Sequence, residues 1–341
     1  MSEFLTELDE LIEVLEVPAD TLIVFHRNPD ADAVGSAFSL CRVLEQLGSN
    51  CRCVCQDEVP ANLQFLMHQM QGSVLPEVVL SDFAPARVIT VDTASLSQMG
   101  TLAPLFGERV DLMIDHHESD EPYGAQCYIR SGAAATGEIV FDLVKHLASE
   151  ERIAIDEEMC IDLYAAISAD TGCFRYSNVT PKTHIRAAEL VASGIDCADI
   201  NRRLFENKSL ERLRAQSAAI SNMELFADGK IAVVTFPYAL KIALGLSDAD
   251  LDALVDIPRS LSGVEVALCI RQPLPEGKFR VSCRSNGSYD VAALCRKFDG
   301  GGHVRAAGCT ITAESPEDAL AVAVDAFGEA VRNYLFEETG E

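Results

Sequence analysis

Ile114-Asp115-His116-His117-Glu118 is the stretch whose reading decides the fold. It closes a short, mostly apolar segment, Arg109-Val110-Asp111-Leu112-Met113, of the length of a buried strand. Open α/β sheets gather their chemistry at the carboxyl ends of their strands. An Asp-His-His triplet alone is equally a surface turn, so its meaning depends on whether other strand ends deliver matching side chains.

Three other segments do. The β-type run Thr21-Leu22-Ile23-Val24-Phe25 delivers His26, Asn28, Asp30 and Asp32. Arg87-Val88-Ile89-Thr90-Val91 delivers Asp92, and the apolar run from Ile161 to Ala169 delivers Asp170, followed by Thr171 and Gly172. Carboxylates are almost never fully buried unless they are paired or bind metal, so four apolar segments closing on Asp or His point to one shared centre. The chain has seven histidines, and His26, His116, His117 and His303 all fall inside such motifs.

These residues, together with Gly35 and Ser36 after Asp32, resemble the four motifs of the DHH phosphoesterase superfamily. Near the other end, Gly300-Gly301-Gly302-His303, followed by Ala306-Ala307-Gly308, resembles the signature of the DHHA1 domain. The pairing is similar to stand-alone NrnA-type oligoribonucleases and pAp phosphatases. The resemblance implies a metal set of His26, Asp30 and Asp92 for one ion. Asp32, Asp92, His116 and Asp170 would hold the other, with Asp92 bridging. It makes Asp115 an orienting group and has His117 contact the phosphate or assist the leaving group. Oxygen-rich ligands with some imidazole suit two divalent ions, manganese first and magnesium or cobalt as alternatives. Such a pair, about 3.5 to 4 Å apart, would activate water and stabilise charge developing on a phosphate.

In the C-terminal part, Arg284-Ser285-Asn286 follows a strand and the Gly300-Gly301-Gly302-His303 run follows a helix. A triple glycine lets backbone approach a ligand, and its amides can form an anion nest. Arg284 offers a planar cation for a second phosphate. The resemblance assigns these residues to holding the nucleotide, making the second domain a substrate ruler.

Composition bounds the rest. With 341 residues the chain has room for two domains. The expected architecture is α/β: a DHH domain over 1–195 with a mostly parallel sheet flanked by helices, a helical linker over 196–226, and a smaller α/β DHHA1 domain over 227–341. Residues 1–17 read as an amphipathic helix ended by Pro18, Ala133 to Leu147 as a helix, and Pro181 to Ser221 as nearly all helix. No run approaches the roughly 18 apolar residues of a membrane span, and the acidic N-terminus lacks a basic signal-peptide region, so a cytoplasmic location is expected. The twelve cysteines form no Cys-x-x-Cys pair and read as buried thiols.

The formal net charge of −26 opposes binding of long polyanions, which needs broad basic surface. Arg202, Arg203, Lys208, Arg212 and Arg214 read as the charged face of a solvated helix. The expected substrates are therefore short oligonucleotides and pAp, with no membrane partner and a homodimer as one arrangement. The alternatives are a cyclic or linear dinucleotide phosphodiesterase, a single-strand DNA exonuclease, and a catalytically silent nucleotide sensor.

Overall fold

The computed structural model describes residues 2–68, 73–118, 121–251, 254–287 and 289–339. The chain divides into two compact units, Met1–Asn207 and Lys208–Glu341. The first unit holds six strands: β1 (Glu3–Phe4), β2 (Asp20–Phe25), β3 (Asn50–Val54), β4 (Arg87–Val91), β5 (Leu112–Asp115) and β6 (Gln126–Ile129). They pair in the order β1-β6-β5-β4-β2-β3, every pairing parallel.

Both faces of this sheet are covered, which explains why its strands read as unbroken apolar runs. Ile23, Phe25, Ile89, Val91, Leu112 and Ile114 face a core shared with the helices Ala31–Gln46, Thr136–Ser149 and Glu157–Asp170. Leu22, Val24 and Val88 face the opposite side, against Met99, Leu102 and Phe106. The 31–46 helix packs so closely on the 157–170 helix that a Cβ at Gly35 would lie 2.4 Å from the Asp162 carbonyl oxygen. Gly35 is therefore required by helix packing.

Several local expectations change. Residues 1–17 contain β1 before their helix (Leu8–Leu15), because Glu3 and Phe4 extend the sheet by pairing with Gln126 and Cys127. The run before Asp170, whose sequence reads equally as helix or strand, is a helix, so the fourth ligand-bearing segment reaches its place from a helix C-terminus. The helix read over 133–147 starts at Thr136, leaving Ala133 to Ala135 as a loop. The stretch 181–221 is broken into helices Pro181–Ala192, Cys197–Asn201 and Leu210–Ser221, with a π-helical turn at Arg202–Glu206. Its charges pair locally: Arg202 and Arg203 with Asp199, and Arg214 with Glu211.

The second unit holds β7 (Met223–Phe226), β8 (Ile231–Phe236), β9 (Val266–Arg271), β10 (Lys278–Ser285), β11 (Gly301–His303) and β12 (Ala306–Thr312), in the order β11-β12-β10-β9-β8-β7. Among the described residues, only the β8–β9 pairing of this sheet is parallel. Helices Val291–Cys295 and Pro316–Thr339 cover one face through Leu294, Ala323 and Phe327. Ala215 and Ala219 of the 210–221 helix cover the other. The mixed α/β class holds for both units. All twelve cysteines are free thiols, and ten are buried.

One buried polar contact ties the irregular segment after β3 to the 157–170 helix. His68 Nε2 lies 2.7 Å from Asp162 Oδ1, and Asp162 is fully buried. Burial pushes the Asp162 carboxyl up to about 7, against the lowering effect of His68 and Arg42, while Asp156 adds to the rise. A carboxyl raised on folding holds its proton in the native state where the unfolded chain has lost it. Its stabilising contribution is therefore full below the ordinary carboxylate range and is lost as pH rises towards about 7. Urea denaturation of the wild type and Asp162→Asn at several pH values between 4 and 8 should show the wild type losing stability relative to the variant as pH rises, then levelling off. A flat difference would refute this account.

Candidate metal centre and active site

The first sheet has its switch point between β2 and β4, since the chain leaves β2 for β3 on one side and returns to β4 on the other. Crevices at such points, beyond the carboxyl ends of the strands, receive ligands. His26 stands directly after β2. Its Nδ1 lies 2.9 Å from the Arg27 carbonyl oxygen, so Nε2 is the atom that meets the carboxylates, 3.6 Å from Asp30 Oδ1 and 3.5 Å from Asp92 Oδ2. Asp30 caps the 31–46 helix, its Oδ1 accepting from the amides of Asp32 and Ala33, each at 3.0 Å.

Asp92 follows β4 in a left-handed conformation with φ of 51°, its amide donating to the Ile114 carbonyl. Its two oxygens serve two sides: Oδ2 faces His26, and Oδ1 lies 3.7 Å from His116 Nε2. The same His116 nitrogen lies 3.2 Å from Asp170 Oδ2 and 3.8 Å from Asp32 Oδ2. It is buried yet makes no hydrogen bond among the described residues, while Nδ1 lies 3.3 Å from the Ala133 carbonyl oxygen. His117 Nδ1 is 2.8 Å from Asp115 Oδ1, which also accepts the His117 amide.

Three overlapping groups result: His26-Asp30-Asp92, Asp32-His116-Asp170 and Asp92-Asp115-His116-His117, each with candidate ligand atoms within 4.8 Å of one another. The electrostatics are those of a site gathered for a cation. Burial, then the charges of Asp92 and Asp170, push the Asp32 carboxyl well above the ordinary carboxylate range. Burial alone would lower both histidines, but their carboxylate neighbours outweigh it. His26 is raised to about 11 by Asp30 and Asp92, and His116 to about 10 by Asp170, Asp32 and Asp92. Protons on imidazoles here do the neutralising that a divalent ion does in a carboxylate-imidazole set. The orphaned His116 Nε2 and the oxygen-rich donors fit such an ion.

The sequence reading missed what holds these carboxylates. Asp32 accepts from Thr136 N at 2.7 Å (Oδ2), Gly137 N at 2.8 Å (Oδ1) and Ser36 Oγ at 3.0 Å (Oδ1). Thr136 Oγ1 donates to Asp92 Oδ1 at 3.0 Å. Asn178 Nδ2 bridges the carbonyls of Ala134 and Asp170 at 3.0 Å each. The faint signal was Thr136-Gly137, a polar-small pair opening a helix; nothing in the sequence tied it to Asp32, more than 100 positions earlier.

The model of the DHH family N-terminal domain matches residues 20–167, and that of the DHHA1 domain matches residues 228–333. The bifunctional oligoribonuclease and PAP phosphatase NrnA of Thermus thermophilus is 30% identical over 303 residues, covering 89% of this chain and 86% of that protein. The chain belongs to the DHH/DHHA1 phosphoesterase family. The cyclic-di-AMP phosphodiesterase PdeA of Listeria monocytogenes is 24% identical, with 94% of this chain matching half of that protein. Among solved structures, an exopolyphosphatase-related protein from Bacteroides fragilis shares the fold, with a TM-score of 0.84, 24% identity and 96% of each chain covered. Among the described residues, no helix of this DHH/DHHA1 chain is long and apolar enough to cross a membrane.

The second-unit candidates sit at one end of its sheet. Arg284 pairs with Ala306, which pairs with His303, so the three form one row across β10, β12 and β11; the His303 side chain lies outside what the structure describes. Arg284 Nη1 donates to the Cys283 carbonyl at 2.9 Å. Asn286 spends both amide hydrogens on the carbonyls of Arg259 and Val264, and Ser285 is buried, so both support the strand end. Gly301 and Gly302 lie in an edge strand where a loop nest was expected. Gly300 and Gly302 are demanded by packing: a Cβ would lie 2.3 Å from the Gly308 carbonyl oxygen at the first and 2.5 Å from that of Ala306 at the second, where φ is also +137°. At Gly301 nothing lies within 4 Å. Gly302→Ala should therefore destabilise the protein by roughly 1–3 kcal/mol while Gly301→Ala stays within about 0.5 kcal/mol. Equal losses in chemical denaturation would show that the edge strand is packed differently.

Proposed function

We propose that this phosphoesterase degrades very short oligonucleotides to mononucleotides and removes the phosphate of pAp, using two divalent metal ions, manganese foremost. The observation that carries the reading is Asp92, whose two oxygens face two separate carboxylate-histidine groups. His26, Asp30 and Asp92 would hold one ion, and Asp32, Asp92, His116 and Asp170 the other. When bound, such ions supply Lewis-acid polarisation of the phosphate and a more acidic attacking water.

The chain's own groups do the rest. Asp115 fixes the His117 ring through Nδ1 and, against the effect of burial, raises its pKa. When protonated, the ring would have a proton to give to a phosphate oxygen or to the leaving oxygen. Arg284, the backbone edge of Gly301 and His303 would hold the nucleotide. Gly301 supports this role because the fold makes no demand for glycine there. Substrate length follows from charge: at −26, a few cations can satisfy a few phosphates, and a long trailing strand meets acidic surface. The Thermus thermophilus relative is named for both activities, oligoribonuclease and PAP phosphatase. The Listeria monocytogenes relative keeps a cyclic dinucleotide as the second reading. The free thiols and the lack of a membrane-spanning helix among the described residues support a cytoplasmic setting.

Asp92→Ala and His116→Ala should abolish hydrolysis while leaving a folded protein. Activity within about tenfold of wild type, roughly 1.4 kcal/mol of barrier, would refute the ligand assignments. A manganese-supplemented panel of a dinucleotide, a five-mer, pAp, a cyclic dinucleotide and a long single strand ranks the substrates. Efficiency should peak at about two to five nucleotides, and added salt should hurt the long strand least. A long strand cut as efficiently as the dinucleotide at low salt refutes the short-substrate reading. Arg284→Ala and Gly301→Ala should raise KM for nucleotides with little effect on a nitrophenyl phosphodiester; equal losses on both substrates would place them in the common chemical step.

A further inference from the structure

The helix Thr136–Ser149 begins without a cap of its own: Ala135, at its N-cap position, has no side chain to accept the first amides. Those amides go instead to a carboxylate from another helix. Thr136 N and Gly137 N donate to the two oxygens of Asp32, at 2.7 and 2.8 Å. Thr136 also donates through Oγ1 to Asp92 Oδ1 at 3.0 Å, and it is completely buried. One residue thus holds a carboxylate from each of two different elements, the 31–46 helix and the turn after β4. Among the described residues, Asp32 Oδ1 accepts two donors, Gly137 N and Ser36 Oγ, whereas Oδ2 accepts only Thr136 N. Oδ2 is also the oxygen nearer His116 Nε2.

We propose that Thr136 is a positioning residue for the metal centre, its amide and hydroxyl fixing the separation of Asp32 and Asp92 and restricting Asp32 to binding through Oδ2. This rests on the reading of Asp32 and Asp92 as metal ligands. Buried carboxylates with no fixed partner would rotate apart to relieve their repulsion. A hydroxyl donor to Asp92 and an amide donor to Asp32, both carried by the first residue of a helix, remove that freedom before any ion arrives. The positive end of a helix of fourteen residues adds to the stabilisation of Asp32 as an anion.

The test is isothermal titration of the purified metal-free chain with manganese, wild type against Thr136→Val, Thr136→Ala and Thr136→Ser, with circular dichroism of each. The valine and alanine variants keep the backbone amide and lose the hydroxyl. They should bind the ions 10- to 100-fold more weakly, the range usual for loss of a group that orients a ligand. The serine variant should bind within about threefold of wild type. Valine or alanine binding as tightly as wild type overturns the proposal, and so does a serine variant as weak as the valine one. A chain that folds with neither valine nor alanine would mark Thr136 as a core residue and also overturn it. If the wild type binds no divalent ion, it is the metal reading itself that fails.

Discussion

The constraint on which the first unit depends is the repulsion among Asp32, Asp92 and Asp170, brought together where burial makes each charge more costly. Everything nearby can be read as an answer to it. Histidines keep protons far above their ordinary range beside these carboxylates. A helix start gives its amides to Asp32, and hydroxyls of Ser36 and Thr136 go to Asp32 and Asp92. The hydrogen bonds are local and directional, and the imidazole protons supply the positive charge. A carboxylate-imidazole cluster of this kind could hold a metal ion.

How much of this was legible depends on the distance over which each feature is specified. The strands carrying His26, Asp92 and Asp115 could be read because a strand buried on both faces is an uninterrupted apolar run, and the polar residue that ends it stands out. Asp170 stood out for the same reason although its run is a helix; a short apolar stretch buried all round has no periodicity to separate the two states. The partners of Asp32 were not legible. Thr136 and Gly137 meet it only because the sheet order places the start of their helix against the start of the 31–46 helix, and topology is not written in either segment. β1, β6, β7, β11 and β12 were missed because they are short, at or next to a sheet edge, or carry glycine and alanine where strand-forming residues were sought, and β7 lies within the stretch 196–226 expected to be a helical linker. The pair of His68 and Asp162 was missed because a lone histidine in an irregular stretch gives no sign of its partner.

The backbone records the same division of labour. Asn28 and Asp92 are left-handed, with φ of 53° and 51°, and they lie in the turns beyond β2 and β4. After Asp170 the chain turns through Gly172, Cys173 and Phe174, all left-handed with φ of 55° to 60°. A left-handed non-glycine residue costs about 1–2 kcal/mol, less for Asn and Asp, and a folding chain gains nothing from it unless the surroundings enforce it. Three of the segments that carry candidate ligands leave their strand or helix in this way. A regular exit would continue the strand or helix and carry the following side chains past the crevice. At Asp92 the left-handed residue turns the chain within one step, so that both of its oxygens have partners; Asp170 is the last residue of its helix, and the left-handed turn that follows carries the chain away from it. Left-handed non-glycine residues also stand at Glu151, Ala227, Asp228 and Asp299, away from these segments, so what distinguishes the ligand-bearing turns is where they leave their side chains and not strain as such.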